Sequence, residues 1–277
     1  MFARVLAGVD ASSPSEGMLA CIGALRGVGT REVLLVHAFG TPSRDDADRA
    51  PAPPLERRLE ALRGAIEQLG LAASAEIAPG DPAPELARIA RERSASLIVL
   101  GADSSRARDL LLGSVAVQVL HRSDLPVLIP GAAPDLAGRS GVDAARADLR
   151  SHVLYATDFG PTAERALEFV KQLVRDGARR VTLVRVQRPP PKRRRIENLA
   201  RRLLFVGADD VRVETPAGVP EREIVRLAAE LRASLVVMGT SGRGSASTLY
   251  LGSVSHGVAR ESRAPVLLVP PDRSAQS

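Results

Sequence analysis

The feature that most constrains the fold of this chain is that the chain repeats itself. Val5-Leu6-Ala7-Gly8-Val9-Asp10 aligns with Val153-Leu154-Tyr155-Ala156-Thr157-Asp158 at an offset of 148, and residues 33–37 align with 181–185 at the same offset. Pro79-Gly80-Asp81-Pro82 aligns with Ala217-Gly218-Val219-Pro220, and Leu97-Ile98-Val99-Leu100-Gly101 with Leu235-Val236-Val237-Met238-Gly239, both at 138. Leu112-Gly113-Ser114-Val115 matches Leu251-Gly252-Ser253-Val254, and 126–130 matches 265–269, at 139. One structural unit is therefore built twice, and any fold must serve both copies. The offsets shift because the first copy carries about ten extra residues between its second and third strands, in a Pro- and Asp-rich stretch around 41–54 that reads as a loop. The first copy is also one residue shorter in the loop after its fourth strand.

Within each copy, strand patterns alternate with helical ones, and each copy ends on a strand. The strand runs are short, rich in Val, Leu and Ile, and do not alternate with polar residues, as expected of strands buried on both faces of a parallel sheet. Helical periodicity fills the gaps, as in Leu55-Glu56-Arg57-Arg58-Leu59-Glu60-Ala61-Leu62-Arg63 and Ile224-Val225-Arg226-Leu227-Ala228-Ala229-Glu230-Leu231. The prediction is an α/β protein made of two tandem doubly wound parallel sheets. At roughly 100–200 residues per domain, the 277 residues divide into domains at 1–132 and 151–272, joined by a Gly-, Ala- and Asp-rich linker at 133–150.

Composition narrows the setting. No apolar run approaches the ~20 residues of a membrane span, and the N-terminal segment reads as a strand rather than a signal peptide. The expectation is a cytoplasmic protein with no membrane partner. Cys21 is the only cysteine, so it can make no intrachain disulfide and reads as a small core residue. Charge is uneven. Residues 1–138 hold 14 Arg against 17 Asp and Glu, a net −3, whereas residues 139–277 hold 24 Arg and Lys against 15, a net +9. Either the second half meets an anion, or arginines decorate its solvated helix faces.

Doubly wound sheets bind ligands at the carboxyl ends of their strands, and three features of the second copy fall there. Asp158 ends the first strand of that copy; it can accept hydrogen bonds from ribose or purine groups, or cap the helix that starts near Pro161. The fourth strand runs into Gly239-Thr240-Ser241-Gly242-Arg243-Gly244-Ser245-Ala246-Ser247-Thr248-Leu249-Tyr250-Leu251-Gly252-Ser253, a G-x2-G-x9-G-S spacing that opens a helix running to about Arg263. Glycines there permit close approach, and the helix N-terminus suits a phosphate. Ser253 and Ser255 add hydroxyl donors, and Arg243 adds a charge. The same stretch is also compatible with a Gly/Ser-rich surface loop. The third feature is Pro189-Pro190-Pro191-Lys192-Arg193-Arg194-Arg195, which either gathers a polyphosphate or begins a solvated helix.

Other chemistries lack their residues. The chain has no P-loop motif, no G-x-G-x-x-G after a first strand, no G-x-S-x-G elbow and no Cys/His metal spacing. With 3% aromatics and no Trp, it offers no base-stacking platform, so nucleic acid is not an expected partner.

These residues, in both copies, resemble the universal stress protein family in its tandem form. The resemblance implies a five-stranded parallel, adenine-nucleotide α-hydrolase-like fold in each copy. It also implies an intrachain pseudo-dimer through the last strands, at 126–129 and 265–269, that could pair further as a homodimer or with a protein partner the sequence does not identify. The G-x2-G-x9-G-S spacing is similar to that family's ATP-binding signature. By resemblance, Ala156, Thr157 and Asp158 would line the adenosine end, and Val186 would offer backbone groups to adenine. Met238, Gly239, Gly242, Gly252, Ser253, Val254 and Ser255 would hold ribose and phosphates, with Arg243 beside them. The cofactor is ATP, with or without Mg, whose ligands the sequence does not identify. In the first copy Ser104 replaces the second glycine and Asp103 adds negative charge, while Asp10 and Gly113-Ser114 remain; weak or absent nucleotide binding is expected there. The implied role is regulatory, in a stress response, with no catalytic residues. The alternatives are a docking module without nucleotide and a weak ATPase that needs a partner.

Overall fold

The computed structural model describes residues 1–9, 16–40, 54–101, 113–131, 148–186, 193–241 and 251–272. The first half contains β1 (Arg4–Gly8), α1 (Glu16–Leu25), β2 (Glu32–Phe39), α2 (Pro54–Gln68), β3 (Ala72–Pro79), α3 (Pro82–Glu92), β4 (Leu97–Leu100), α4 (Ser114–Arg122) and β5 (Val127–Ile129). The second half repeats the order with β6 (Val153–Ala156), α5 (Pro161–Arg175), β7 (Arg180–Val184), α6 (Arg193–Val206), β8 (Asp210–Glu214), α7 (Pro220–Glu230), β9 (Leu235–Gly239), α8 (Ser253–Glu261) and β10 (Val266–Val269).

All ten strands form one sheet, in the order β3-β2-β1-β4-β5-β10-β9-β6-β7-β8. Every pairing is parallel except the central one. There β10 runs antiparallel to β5, with Val266 opposite Ile129, Leu267 opposite Leu128 and Leu268 opposite Val127. The pairing of last strands implied by the resemblance is thus present inside the chain. Residues of β1, β4, β5, β6, β9 and β10 are almost all buried, as the unbroken apolar runs require when helices cover both faces. The edge strands β3 and β8 are partly exposed; β3 carries Glu76 and β8 carries Asp210, Arg212 and Glu214, charges that discourage further strand addition.

Alternate strand residues feed two cores. On one face Val5, Val33, Val153, Tyr155, Val181 and Leu267 meet α1, α2, α5 and α6; on the other Leu6, Ile98, Leu154, Val236 and Leu268 meet α3, α4, α7 and α8. Both cores cross the β5–β10 seam.

The helices begin where the chemistry of the first turn allows. Proline opens α3, α5 and α7, where its missing N–H costs nothing. At α5 the capping position belongs to Gly160, not Asp158; Asp158 Oδ1 instead accepts the Gly160 N–H at 2.8 Å. The helix α8 stops at Glu261, two residues before the expected Arg263, because Ser262 is extended and closes its backbone on Val258. On the solvated faces, single arginines are clamped between two carboxylates. Arg63 lies between Glu60 and Glu67 in α2, Arg88 between Glu85 and Glu92 in α3, and Arg226 between Glu223 and Glu230 in α7.

Candidate functional site

In each half the strand order reverses direction beside the first strand, and in the second half this switch point lies between β6 and β9. A cavity of about 440 Å³ opens there, at the carboxyl ends of β6, β7 and β9. Ala156, Thr157, Asp158, Val186, Met238, Gly239, Gly252, Ser253, Val254 and Ser255 all line it. Gly242 and Arg243 lie outside the described residues, as do Asp10, residues 102–112 of the first copy and residues 187–192.

One wall is the turn from β6 into α5. Thr157 continues the strand by donating its N–H to Val184 O at 2.9 Å. Its hydroxyl accepts from Phe159 N–H at 3.0 Å, and with the bond from Gly160 to Asp158 this makes two consecutive side chain-to-backbone turns. Phe159 between them has φ +62, an uncommon conformation for a bulky residue. It is buried, and the guanidinium carbons of Arg185 and Arg195 lie 4.6 and 4.3 Å from its ring centroid. Arg195 also pairs with Glu164 at 3.2 Å. Behind the wall, Tyr155 is fully buried and donates to Ala163 O at 2.6 Å; burial raises its pKa, so the phenol stays neutral.

The floor is apolar, formed by Ala156, Val184, Val186 and Met238. Gly239 ends it. A Cβ on Gly239 would lie 2.3 Å from Thr162 Oγ1 and 2.7 Å from Thr162 C. The close approach that this glycine permits is that of the first turn of α5. Thr162 then donates its hydroxyl to Ser241 O at 2.7 Å, tying that turn to the glycine loop.

The far wall is the start of α8. Gly252 caps it in an ordinary extended conformation, φ −64 and ψ 150, and donates its N–H to Thr240 O at 2.6 Å. A Cβ there would meet Thr240 O at 3.2 Å. The next N–H groups, of Ser253, Val254 and Ser255, belong to a first helical turn with no intrahelical acceptors, and a helix start of this kind attracts anions. The Ser255 hydroxyl is almost fully buried and lies 2.8 Å from Thr240 O and 2.9 Å from Gly252 O. Its single proton is committed to backbone, so Ser255 holds α8 against the end of β9 rather than adding a donor to the cavity. Leu251 N–H donates to His121 Nε2 of α4 at 3.3 Å, so the entry to this turn touches the first half of the chain.

Sequence reasoning did not single out Ala163, Pro220 or Ile224, which also line the cavity. The repeat at 217–224 was the available signal for the last two, because it places α7 at the strand ends. Among the described residues, no group of three or more His, Cys, Asp or Glu could hold a metal ion, and no helix is long and apolar enough to cross a membrane. Burial pushes the Cys21 thiol up to about 12, leaving it inert as a nucleophile. An apolar floor facing polar loops and a helix N-terminus is suited to a flat ring with an anionic tail.

The pattern of the Universal stress protein family matches residues 1–129 and 192–270. The unmatched middle contains β6, α5 and β7, which complete the second half of the sheet. Universal stress protein Rv2005c of Mycobacterium tuberculosis is 27% identical over 298 aligned positions, covering 95% of this chain and 96% of the relative. A universal stress protein of Mycolicibacterium smegmatis is 28% identical over 296, covering 96% and 97%. Among solved structures, a universal stress protein from Archaeoglobus fulgidus superposes with a TM-score of 0.78 at 27% identity, covering 98% of this chain and 97% of that one.

Proposed function

This chain belongs to the universal stress protein family, and on that premise we propose that it is an ATP-binding regulatory member that holds nucleotide mainly in its C-terminal half. The observation that carries this reading is the convergence of residues from β6, β7, β9 and α8 on one cavity at the switch point. The fit is chemical as well as spatial. Val186 and Met238 offer apolar surface to a purine, Asp158 offers carboxylate oxygen to hydroxyls, and the α8 N-terminus offers backbone N–H groups and its dipole to phosphates. Bound nucleotide would add contacts among elements that Thr162 and Ser255 already tie together, so occupancy would stiffen the glycine loop against α5 and α8.

The reading is regulatory rather than catalytic. Cleaving a phosphoanhydride needs a group that orients the attacking water as well as charge neutralisation. Asp158 is the only carboxylate among the described lining residues, and its Oδ1 is engaged by Gly160 N–H. In this reading the protein acts in the cytoplasm by presenting a nucleotide-dependent surface to a partner.

Mass spectrometry of small molecules released from the purified, denatured protein tests the proposal, followed by competition of ADP, AMP and cyclic AMP against labelled ATP. Recovery of adenine nucleotide, with ATP the tightest competitor, is expected. Absence of any adenine nucleotide together with no binding of labelled ATP would make the cavity a relic and the chain a docking module.

A further inference from the structure

The C-terminal ends of α5 and α6 meet at the amino-end edge of the strands, because the helices run antiparallel to the strands they follow. This is the opposite end of the second half from the cavity. Lys171, Arg175, Arg201, Arg202, Phe205 and Val206 line a cleft of about 410 Å³ there. Phe205 is 94% exposed, the most exposed large apolar side chain among the described residues, and its neighbour Leu204 is 46% exposed.

Two comparisons within the molecule set this patch apart. One arginine in each of α2, α3 and α7 (Arg63, Arg88 and Arg226) is clamped by two carboxylates. Among the described residues Arg175, Arg201 and Arg202 make no ion pair; Arg175 and Arg201 reach only Gln172 and Asn198, both at 3.5 Å. Lys171 alone is matched, by Glu168 at 2.5 Å. The other comparison is with the first half. The bonds closing α1 and α5 correspond (Thr30 N to Leu25 O, Ala178 N to Leu173 O), as do those closing α2 and α6 (Leu71 N to Ile66 O, Ala208 N to Leu203 O). These matches put Gly23, Gly27, Gly64, Ala65 and Gln68 where the second half has Lys171, Arg175, Arg201, Arg202 and Phe205. The fold therefore needs neither the charges nor the aromatic ring.

We propose that this end of the C-terminal half is a peripheral docking surface for an anionic phospholipid bilayer. Lipid phosphates enter the cationic cleft while Phe205 and Leu204 sink into the headgroup–acyl boundary, the arrangement by which basic, apolar-tipped helices hold membrane surfaces. The net +9 of the second half favours approach to such a surface. A nucleic acid would want further aromatic platforms beside Phe205, and an apolar peptide would want a trough rather than a protruding ring. The sequence suggested no membrane partner because no run spans a bilayer; surface contact requires no span. Each unpaired arginine adds about fivefold to partitioning and Phe205 about tenfold. The contact is therefore reversible, comparable to that of a single acyl chain, and leaves the nucleotide cavity open.

Flotation of the full chain with vesicles of phosphatidylcholine and phosphatidylglycerol in equal parts, against pure phosphatidylcholine, tests this. Partitioning to the anionic vesicles is expected, weakening at high salt. It should fall about twenty-fivefold in the double variant Arg201→Gln/Arg202→Gln and about tenfold in Phe205→Ser, and stay unchanged in Arg226→Gln. These side chains are exposed, so thermal melts of the variants should match wild type. No preference for anionic vesicles would overturn the proposal. So would partitioning that ignores Phe205→Ser, or a tighter arginine-dependent hold on duplex DNA than on vesicles, which would make the patch a nucleic-acid surface.

Discussion

Where the first half of the chain opens its first strand with Arg4, the second half has His152. Arg4 donates to Arg93 O at 2.7 Å and pairs with Glu32 at 2.8 Å, half exposed to solvent. His152 is buried; Nδ1 lies 3.0 Å from Leu231 O, and Nε2 lies 2.9 Å from Thr182 Oγ1. Leu231 is the repeat partner of Arg93, so the same carbonyl is satisfied once by a permanent cation and once by an imidazole. At the strand ends the divergence continues. Gly239 is packed hard against Thr162, whereas at its counterpart Gly101 the nearest described atom to an added Cβ is Met18 Cε, at 3.4 Å. Ser255 braces α8, and Ala116 stands in its place. A shared topology therefore does not imply a shared site; the second half has local devices that tie α5, the glycine loop and α8 together.

The largest test of that contrast is a single methyl group at each glycine. Gly239→Ala forces a carbon into the backbone of α5 and is expected to cost about 3 kcal/mol, the upper range for overpacking. Gly101→Ala is expected to cost under about 1 kcal/mol. Urea unfolding midpoints compare the two, and equal losses would remove the distinction. Next comes Ser255→Ala, which makes the second half resemble the first. Both carbonyls it touches keep another donor, so the loss is about 1 kcal/mol, with a measurable weakening of ATP binding as the loop loosens. Unchanged affinity at reduced stability would confine Ser255 to packing alone.

The smallest effect is a pH dependence confined to one half. Burial lowers the His152 pKa, helped by Arg180 and Arg212 and opposed by Leu231 O and Asp210. The native ring thus stays neutral where the unfolded chain takes up a proton. The stability it contributes is complete above the ordinary value of 6.5 and is lost as pH falls through the lower, native one. His152→Gln should flatten the fall of the urea midpoint on acidification, whereas Arg4→Gln should leave that slope intact. A slope unchanged by His152→Gln would show that other groups carry it.

The sheet itself was legible in the sequence. Runs such as Leu97–Leu100 and Leu235–Gly239 are apolar without alternation and recur between helical patterns, which fits a parallel sheet covered on both faces. The β5–β10 seam came from family resemblance, since nothing in Val127–Ile129 or Val266–Val269 names its neighbour. Spacing pointed to the cavity wall around Gly252 because a strand, a glycine loop and a helix start are consecutive in the chain. It missed Phe159 with its positive φ, since no local pattern forecasts an aromatic held in that conformation between two arginines. It singled out the basic run at 192–195 but not the cationic cleft, whose residues come from α5 and α6, about 30 residues apart in sequence. Contacts assembled from distant segments leave no periodic trace.

The proposal at the centre of this account is that the C-terminal half holds nucleotide and the first half holds it weakly or not at all. Calorimetric titration of ATP into the full chain, Gly113→Val and Gly252→Val tests it most directly, with melts to confirm that each is folded. The account predicts a single ATP per chain for wild type and for Gly113→Val, and no binding for Gly252→Val. Two equivalent sites in wild type, or ATP retained by Gly252→Val and lost by Gly113→Val, would contradict it.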